Sequence, residues 1–411
     1  MFKTARIHPV LARFCEPVRF KFFRRESFVH FQVYLMALIA SGWKHTVTGL
    51  SRSIGFGPHR AKRNAFLTEA QWEEIEATCE LAWGELRRLG LKAGETLYLI
   101  LDDTHTRKRG KKMQGAGKFY DTTTGSYAWG HNLLSAIFYY RGRTIPLRFE
   151  LYLKPQQALA LGEIFRTLPE LAALVISSIT PPPGVRIVAL FDSAYMNKKV
   201  VRALREKDFD YVSRLPSNRN VTIRSRHRKI KTLLRSIPRR EFRRVTVQKG
   251  DRTKRFWATD REAYIPAIGP VKLVFSRRAK FETPIAVVTN RRDWSRREIL
   301  TALSLRWAIE RFFEDAKQLL GLGEYQTGHW RGVRRHAHLV AVAYLFLVHH
   351  QTLGMGATNG KADAAAGFST MRARDRFRGA LFRDLLDALH ESAEPKRVLK
   401  DLLARVEGAA A

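Results

Sequence analysis

Apolar residues along the chain change texture three times. Residues 27–90 read as helical, with Phe28, Phe31, Val33, Leu35, Leu38 and Ile39 forming a dense face that stops at Gly42. Thr68, with Gln71 three residues on, predicts a capping-box start for a helix carrying Trp72, Ile75, Cys79, Leu81 and Leu86. From Thr96 the pattern turns to strands. The run 97–101 is continuously apolar, as a strand buried on both faces requires, and it ends in Asp102 and Asp103. Segments 133–140 and 144–153, separated by Arg141-Gly142-Arg143, predict a hairpin. Segment 156–179 is helical with a break at Pro169, and a Pro-rich turn leads into a second buried strand, 186–191, that also ends in an acid, Asp192. A helix from Asn197 and a strand over 209–215 follow. This order predicts a mixed α/β sheet with helices packed on it.

The last third carries a strong helix over 294–321 and another over 332–353, then a Gly/Ala-rich linker to 370 and two short amphipathic helices. The expected organisation is a helical N-terminal region (1–95), a mixed α/β core in two parts (96–215 and 291–352), a basic β-rich insertion between them (216–290) and a C-terminal linker with helices (353–411).

Charge narrows the function. The 411 residues hold 73 Lys plus Arg against 38 Asp plus Glu, a formal net charge of +35. A surface so basic calls for a polyanion, and nucleic acid is the natural one. An anionic membrane would need an anchor, yet the longest apolar stretches are about half the ~20 residues that span a bilayer. No secretory signal is evident at the N-terminus, and two cysteines make neither a disulfide framework nor a metal quartet, so a cytoplasmic, nucleoid-associated location is expected. Segments 46–54 and 58–63, separated by Gly55-Phe56-Gly57, outline a helix-turn-helix, although a plain helical hairpin with a solvated basic face accounts for them equally. In the insertion, Arg224, Arg226, Arg228, Lys229, Lys231, Arg239 and Arg240 crowd together. The interleaved Phe242, Val245, Val247, Phe256 and Trp257 suggest a folded surface facing a phosphate backbone rather than a merely solvated charge run.

Phosphodiester cleavage is served by two hard cations ~4 Å apart, held by carboxylates brought to one point. Asp102 or Asp103 and Asp192, at the ends of two strands, are candidates, with turn or helix-cap roles as the alternative for the first pair. On a helix over 304–320, Leu305, Ile309, Phe312, Ala316 and Leu319 form the core stripe. Arg306, Glu310 and Lys317 cluster on one flank, where Glu310 could join the acids or simply make surface ion pairs. Glu314 is the other acid considered for this place.

The segment Arg306-Trp-Ala-Ile-Glu310-Arg-Phe-Phe-Glu-Asp-Ala-Lys317 resembles the Arg, Glu, Lys signature of bacterial insertion-sequence transposases of the Asp-Asp-Glu (DDE) class, in the insertion-sequence-4-like superfamily. Asp192-Ser-Ala-Tyr195 is similar to that family's second-Asp motif, Leu101-Asp-Asp-Thr104 to its first, and the run 320–326 is also similar. The likeness covers roughly residues 96–350. One departure is Leu303, where the family usually has Tyr.

The resemblance implies an RNase H-like core with a β-rich insertion before the Glu. It also implies a site of Asp102 (Asp103 as the alternative), Asp192 and Glu310 holding two Mg2+ ions, for which Mn2+ can substitute. The implied activity is cleavage at element ends and strand transfer into target DNA. Arg306 and Lys317 are expected to meet phosphate, the partners to be double-stranded DNA (terminal inverted repeats and target) and a second copy of the chain, and no membrane. A non-mobile nuclease of the same fold and a DNA-binding protein with an inactive site are the other readings. Tyr195 is either a positioning or a core tyrosine; His105, His131, His336 and His338 are read as structural or surface residues.

Overall fold

The computed structural model describes residues 7–42, 44–53, 60–121, 124–249, 252–279, 281–355, 368–392 and 395–396. The chain begins with helices α1 (Pro9–Cys15), α2 (Arg25–Ala40), α3 (Val47–Ser53), α4 (Arg60–Thr68) and α5 (Glu74–Arg88). Every residue of α2 from Phe31 to Ile39 is buried, as expected of a helix apolar on all sides and enclosed by neighbours. The turn expected at 55–57 lies outside the described residues; α3 and α4 flank it. The capping box expected at Thr68 does not form. Its hydroxyl donates back to the Asn64 carbonyl (3.0 Å), closing α4, and Trp72 stacks between Phe22 and Phe66 ahead of α5.

All twelve described strands join one sheet. One half comprises β1 (Thr96–Arg107), β2 (Gly117–Asp121), β3 (Ser126–Tyr140), β4 (Arg143–Tyr152), β5 (Arg186–Phe191) and β6 (Asp210–Arg214). β3 runs antiparallel to β1, β2 and β4, whereas β1, β5 and β6 are mutually parallel neighbours. This is the mixed, RNase H-like sheet that the sequence predicts. The β3–β4 turn is made by Arg141 and Gly142, both at positive φ, which suits the twist of a two-residue hairpin. β1 does not stop at the acids. Pairing with β5 ends at Leu101 opposite Phe191, but β3 keeps pairing with β1 to Arg107, so Asp102 and Asp103 are strand residues with one free edge.

The segment expected to be one broken helix is two short ones, α6 (Pro155–Ala160) and α7 (Leu168–Ser178). Pro169 opens α7 rather than interrupting a helix: the Thr167–Glu170 capping box starts it, and the first turn tolerates a missing N–H. Asn197 caps α8 (Lys198–Glu206) through the amides of Lys199 and Val200. Leu97, Leu99, Ile100, Leu101 and Val188 to Phe191 are fully buried because helices cover both faces of the sheet.

The insertion holds β7 (Asn220–Ile223), β8 (Arg226–Lys229), α9 (Ile230–Ser236), β9 (Arg243–Lys249), β10 (Arg252–Ile265), β11 (Gly269–Arg277) and β12 (Ile285–Thr289). These strands extend the main sheet: β12 pairs antiparallel with β6, and the order runs on through β11 and β10 to β7 and β8.

α10 (Arg296–Leu305) and α11 (Trp307–Leu320) replace the single helix expected, with the break at Arg306. α12 (Trp330–Met355) packs on β4, α5 and α2, tying the N-terminal helices to the sheet. Most of the expected linker, 356–367, lies outside the described residues. Of the two C-terminal helices the first is α13 (Thr370–His390), and the second falls outside them apart from residues 395–396. No described helix is long and apolar enough to cross a membrane.

Candidate active site at the strand ends

Parallel register fixes the first part of the site. Leu101 lies beside Phe191, so the next residues, Asp102 within β1 and Asp192 just past β5, follow the point where the parallel pairing stops, at the carboxyl edge where α/β sheets present functional groups. Successive strand residues face opposite ways, and the two aspartates of β1 accordingly find different partners. Asp102 Oδ2 accepts from Arg306 Nη1 at 2.8 Å, and its Oδ1 accepts from the Asp103 amide at 3.0 Å. Asp103 accepts from the Tyr195 hydroxyl (2.6 Å) and from Asn132 Nδ2 (3.0 Å), so both its oxygens are occupied. Tyr195 is buried, which makes it both a core residue and a support for Asp103.

The break between α10 and α11 brings in the helix acid. Arg306 reaches Asp102 with one nitrogen and Glu310 Oε1, one turn on, with the other at 2.7 Å. Glu310 Oε2 is buried with no hydrogen-bond partner among the described residues. So is the hydroxyl of Ser135, directly across the β1–β3 pair from Asp102 and therefore on the same face. Burial pushes the Asp102 carboxyl up to about 7; Arg306 opposes this, while Asp103 and Glu310 add to it. Lys317, exposed two turns beyond Glu310, donates to the His105 carbonyl at 3.1 Å.

Among the described residues no three Asp, Glu, His or Cys side chains close a metal site; Arg306 bridges Asp102 and Glu310 as their shared cation. The donor set nevertheless fits a hard divalent ion. It offers all-oxygen carboxylates, a buried Glu310 oxygen without a partner and an Asp102 held against its preference for the charged form.

A polar network anchors the loop after α11. Gly321 ends that helix at φ +70°, and a Cβ there would stand 2.3 Å from that of His45. His336 bridges the Gly321 carbonyl (2.9 Å) and the Tyr34 hydroxyl (3.0 Å). Tyr325 Oη meets Thr106 Oγ1 and His131 Nδ1, both at 2.9 Å, and His131 Nε2 meets the Gln114 carbonyl at 2.9 Å. Carbonyls only accept, so both histidines carry a proton on Nε2. Burial holds His131 down to about 4 and His336 to about 3. Lys108 donates to the carbonyls of Gly323 (2.7 Å) and Tyr325 (2.6 Å).

The insertion cations Arg224, Arg226, Arg228, Lys229, Lys231, Arg239 and Arg240 are all exposed, and the strand β8 that carries three of them is at the far end of the sheet order from β1. Arg226, Arg228 and Lys229 lie on β8, a terminal strand, where charge also discourages edge-to-edge pairing.

Two family models match the chain: one described as a DDE superfamily endonuclease over residues 17–236, and one described as a transposase DDE domain over residues 166–346. The first spans Asp102, Asp103 and Asp192; the second spans Asp192, Arg306 and Glu310. The chain belongs to the DDE transposase superfamily. It is also similar to a probable transposase for insertion sequence element IS701 from Microchaete diplosiphon, with 26% identity over 316 residues, or 74% of this chain and 78% of the relative. For a DDE transposase, the Asp192-Ser-Ala-Tyr195 and Arg306-to-Lys317 motifs were the legible signals. Tyr195 was legible as a candidate positioning residue, whereas Asn132, the other support of Asp103, and the hydroxyl beside Asp102 were not. A faint signal for Ser135 existed: it is polar within the otherwise apolar run 133–140.

Proposed function

We propose that this chain cuts DNA at the ends of a mobile element and joins those ends to target DNA, with Asp102, Asp192 and Glu310 as its catalytic carboxylates. The observation that carries the reading is the arrangement of acids. Two directly follow the last parallel pair of the neighbouring strands β1 and β5, and the third shares Arg306 with the first at 2.7–2.8 Å. Asp102, Asp192 and Glu310 would hold divalent cations, Mg2+ or in its place Mn2+, which neutralise charge on the attacking and leaving oxygens of a phosphodiester. Arg306 acts as an internal counter-ion until DNA is bound, then presents its planar fork to a phosphate, for which its two-pronged contact is suited. Lys317 sits at the rim as a point charge for the same backbone. Tyr195 and Asn132 fix Asp103, so that the strand bearing Asp102 keeps its register. The basic insertion adds affinity independent of sequence, the N-terminal helices read the inverted repeats, and two copies pair two ends, all in the cytoplasm alongside the nucleoid.

The test uses a duplex from the inverted repeats that bracket the gene, with a plasmid target and Mg2+. Wild type is expected to cut and to join a precut end; Asp192→Ala and Glu310→Ala are expected to bind the duplex and do neither. Cutting without joining would replace this reading by a non-mobile nuclease, and identical DNA behaviour of all three proteins would replace it by a DNA-binding protein.

A further inference from the structure

The β2–β3 hairpin stands apart from the packed sheet. β1 pairs with β3 as far as Gly130, and the Lys108 amide still donates to the Trp129 carbonyl (2.9 Å); beyond that, Ser126 to Ala128 continue with β2 alone. On this two-stranded extension Tyr120 and Tyr127 face each other across the pair, their rings 5.5 Å apart and edge to face, with 56% and 73% of their surface exposed. Two large aromatic rings left in water at the end of a hairpin are costly, and such exposure marks a contact surface.

The surroundings say what is contacted. Between positions 107 and 130 the sequence has six cations (Arg107, Lys108, Arg109, Lys111, Lys112 and Lys118) and one acid, Asp121. Of these cations all but Lys108 are exposed, and Arg107 braces the hairpin tip by donating to Thr124 Oγ1 at 3.0 Å. The preceding loop is fixed to β3 where Trp129 Nε1 donates to the Gly110 carbonyl at 3.0 Å. The result is a hairpin with tyrosines at its end and Lys118 on β2, flanked by the basic segment 107–112, and a two-stranded ribbon fits the major groove of a DNA duplex.

Register gives the reach. Ser135 is opposite Asp102, and Tyr127 lies eight residues further along the same strand, ~26 Å at ~3.3 Å per residue. That distance equals about eight base pairs of duplex at ~3.4 Å each.

We propose that the β2–β3 hairpin enters the major groove of the DNA held at the catalytic acids, placing Tyr120 and Tyr127 against base edges about eight base pairs to one side of the cut. The proposal rests on the DNA-cutting reading above and adds a second, base-reading contact to it.

Photocrosslinking of the full-length protein tests it. The probe is the inverted-repeat duplex carrying one 5-iododeoxyuridine at successive positions to either side of the cut, followed by mapping of the crosslinked peptide. The expected result is a crosslink from the peptide containing Tyr120 or Tyr127 at about six to ten base pairs on one side only. Tyr120→Ala with Tyr127→Ala should remove it and weaken binding about five- to a hundredfold, with an unchanged dependence on salt because a tyrosine neutralises no phosphate. Crosslinks elsewhere but none from this peptide would overturn the proposal and leave the DNA reading intact, as would wild-type affinity in the double variant. A wild type that neither crosslinks nor binds the duplex would overturn both.

Discussion

The two adjacent aspartates of β1 separate cleanly by their partners. Asp103 has both oxygens satisfied by Tyr195 and Asn132, whereas Asp102 meets only its neighbour's amide and the arginine it shares with Glu310. Asp103→Ala should therefore cost stability, about 2–3 kcal/mol for stranding buried partners of a charged group, while metal binding survives in the fraction that folds. Asp102→Ala should leave the thermal midpoint near wild type and abolish cleavage. Thermal melts beside a cleavage assay check the pair, and the reverse pattern would exchange their roles. Much of this site was legible at the residue level, because Asp192-Ser-Ala-Tyr195 and the Arg306, Glu310, Lys317 spacing are local patterns. What Arg306 touches was not. Helical periodicity puts Arg306 and Glu310 on one flank, but only the fold brings Asp102, 204 residues earlier, to the same guanidinium.

At the scale of elements, the end of α11 sets where Glu310 can stand. Gly321 occupies the left-handed region, and a side chain there would strike His45. Gly321→Ala is expected to cost at least ~2 kcal/mol, from backbone strain plus the displaced histidine, read as a lower urea midpoint. The buried histidines set a pH limit. His131, His336 and His338 are held below their ordinary value by burial, His338 to about 4. The unfolded chain takes up these protons first, at ~6.5, so their contribution is intact above that pH and is lost as pH falls towards 4. Each adds up to ~1.4 kcal/mol per pH unit in that window. Urea unfolding at several pH values should give a flatter slope for His338→Gln than for wild type by about this amount. Comparing the two proteins cancels Asp102, which is raised by burial and works in the opposite sense.

Elements are legible in the sequence where pattern alone decides, as for the apolar run 97–101 and the helix α12, and are misjudged where a distant partner or a competing cap decides. β1 outlasts its apolar run because β3 goes on pairing with it. Residues 161–167 leave the helix because capping at Thr167 restarts it. The union of the insertion with the main sheet rests on β12 meeting β6, a pairing between strands about 75 residues apart that no local window contains.

Over the whole molecule, charge governs behaviour. A net charge of +35 predicts DNA affinity that falls steeply with salt. We propose that the exposed row on β8 supplies part of it. Replacing Arg226, Arg228 and Lys229 together by Ala should weaken binding to any duplex without changing sequence preference. It should also reduce the slope of log affinity against log salt by ~0.9 for each phosphate that is no longer neutralised. Fluorescence anisotropy over a salt series gives that slope, and an unaltered value would remove β8 from the DNA surface. Composition made this much plain from the outset. It left open where on the molecule the charge would gather, and the sheet order answers that by carrying β8 to the far end from the acids.

The central claim is that Asp102, Asp192 and Glu310 make one divalent-metal site. Mn2+ titration followed by electron paramagnetic resonance, on wild type and on the three single Ala variants, tests it most directly. Wild type should take up Mn2+ saturably, and each variant should bind it at least tenfold more weakly while keeping its fold by circular dichroism. Equal Mn2+ binding by wild type and all three variants would contradict the account.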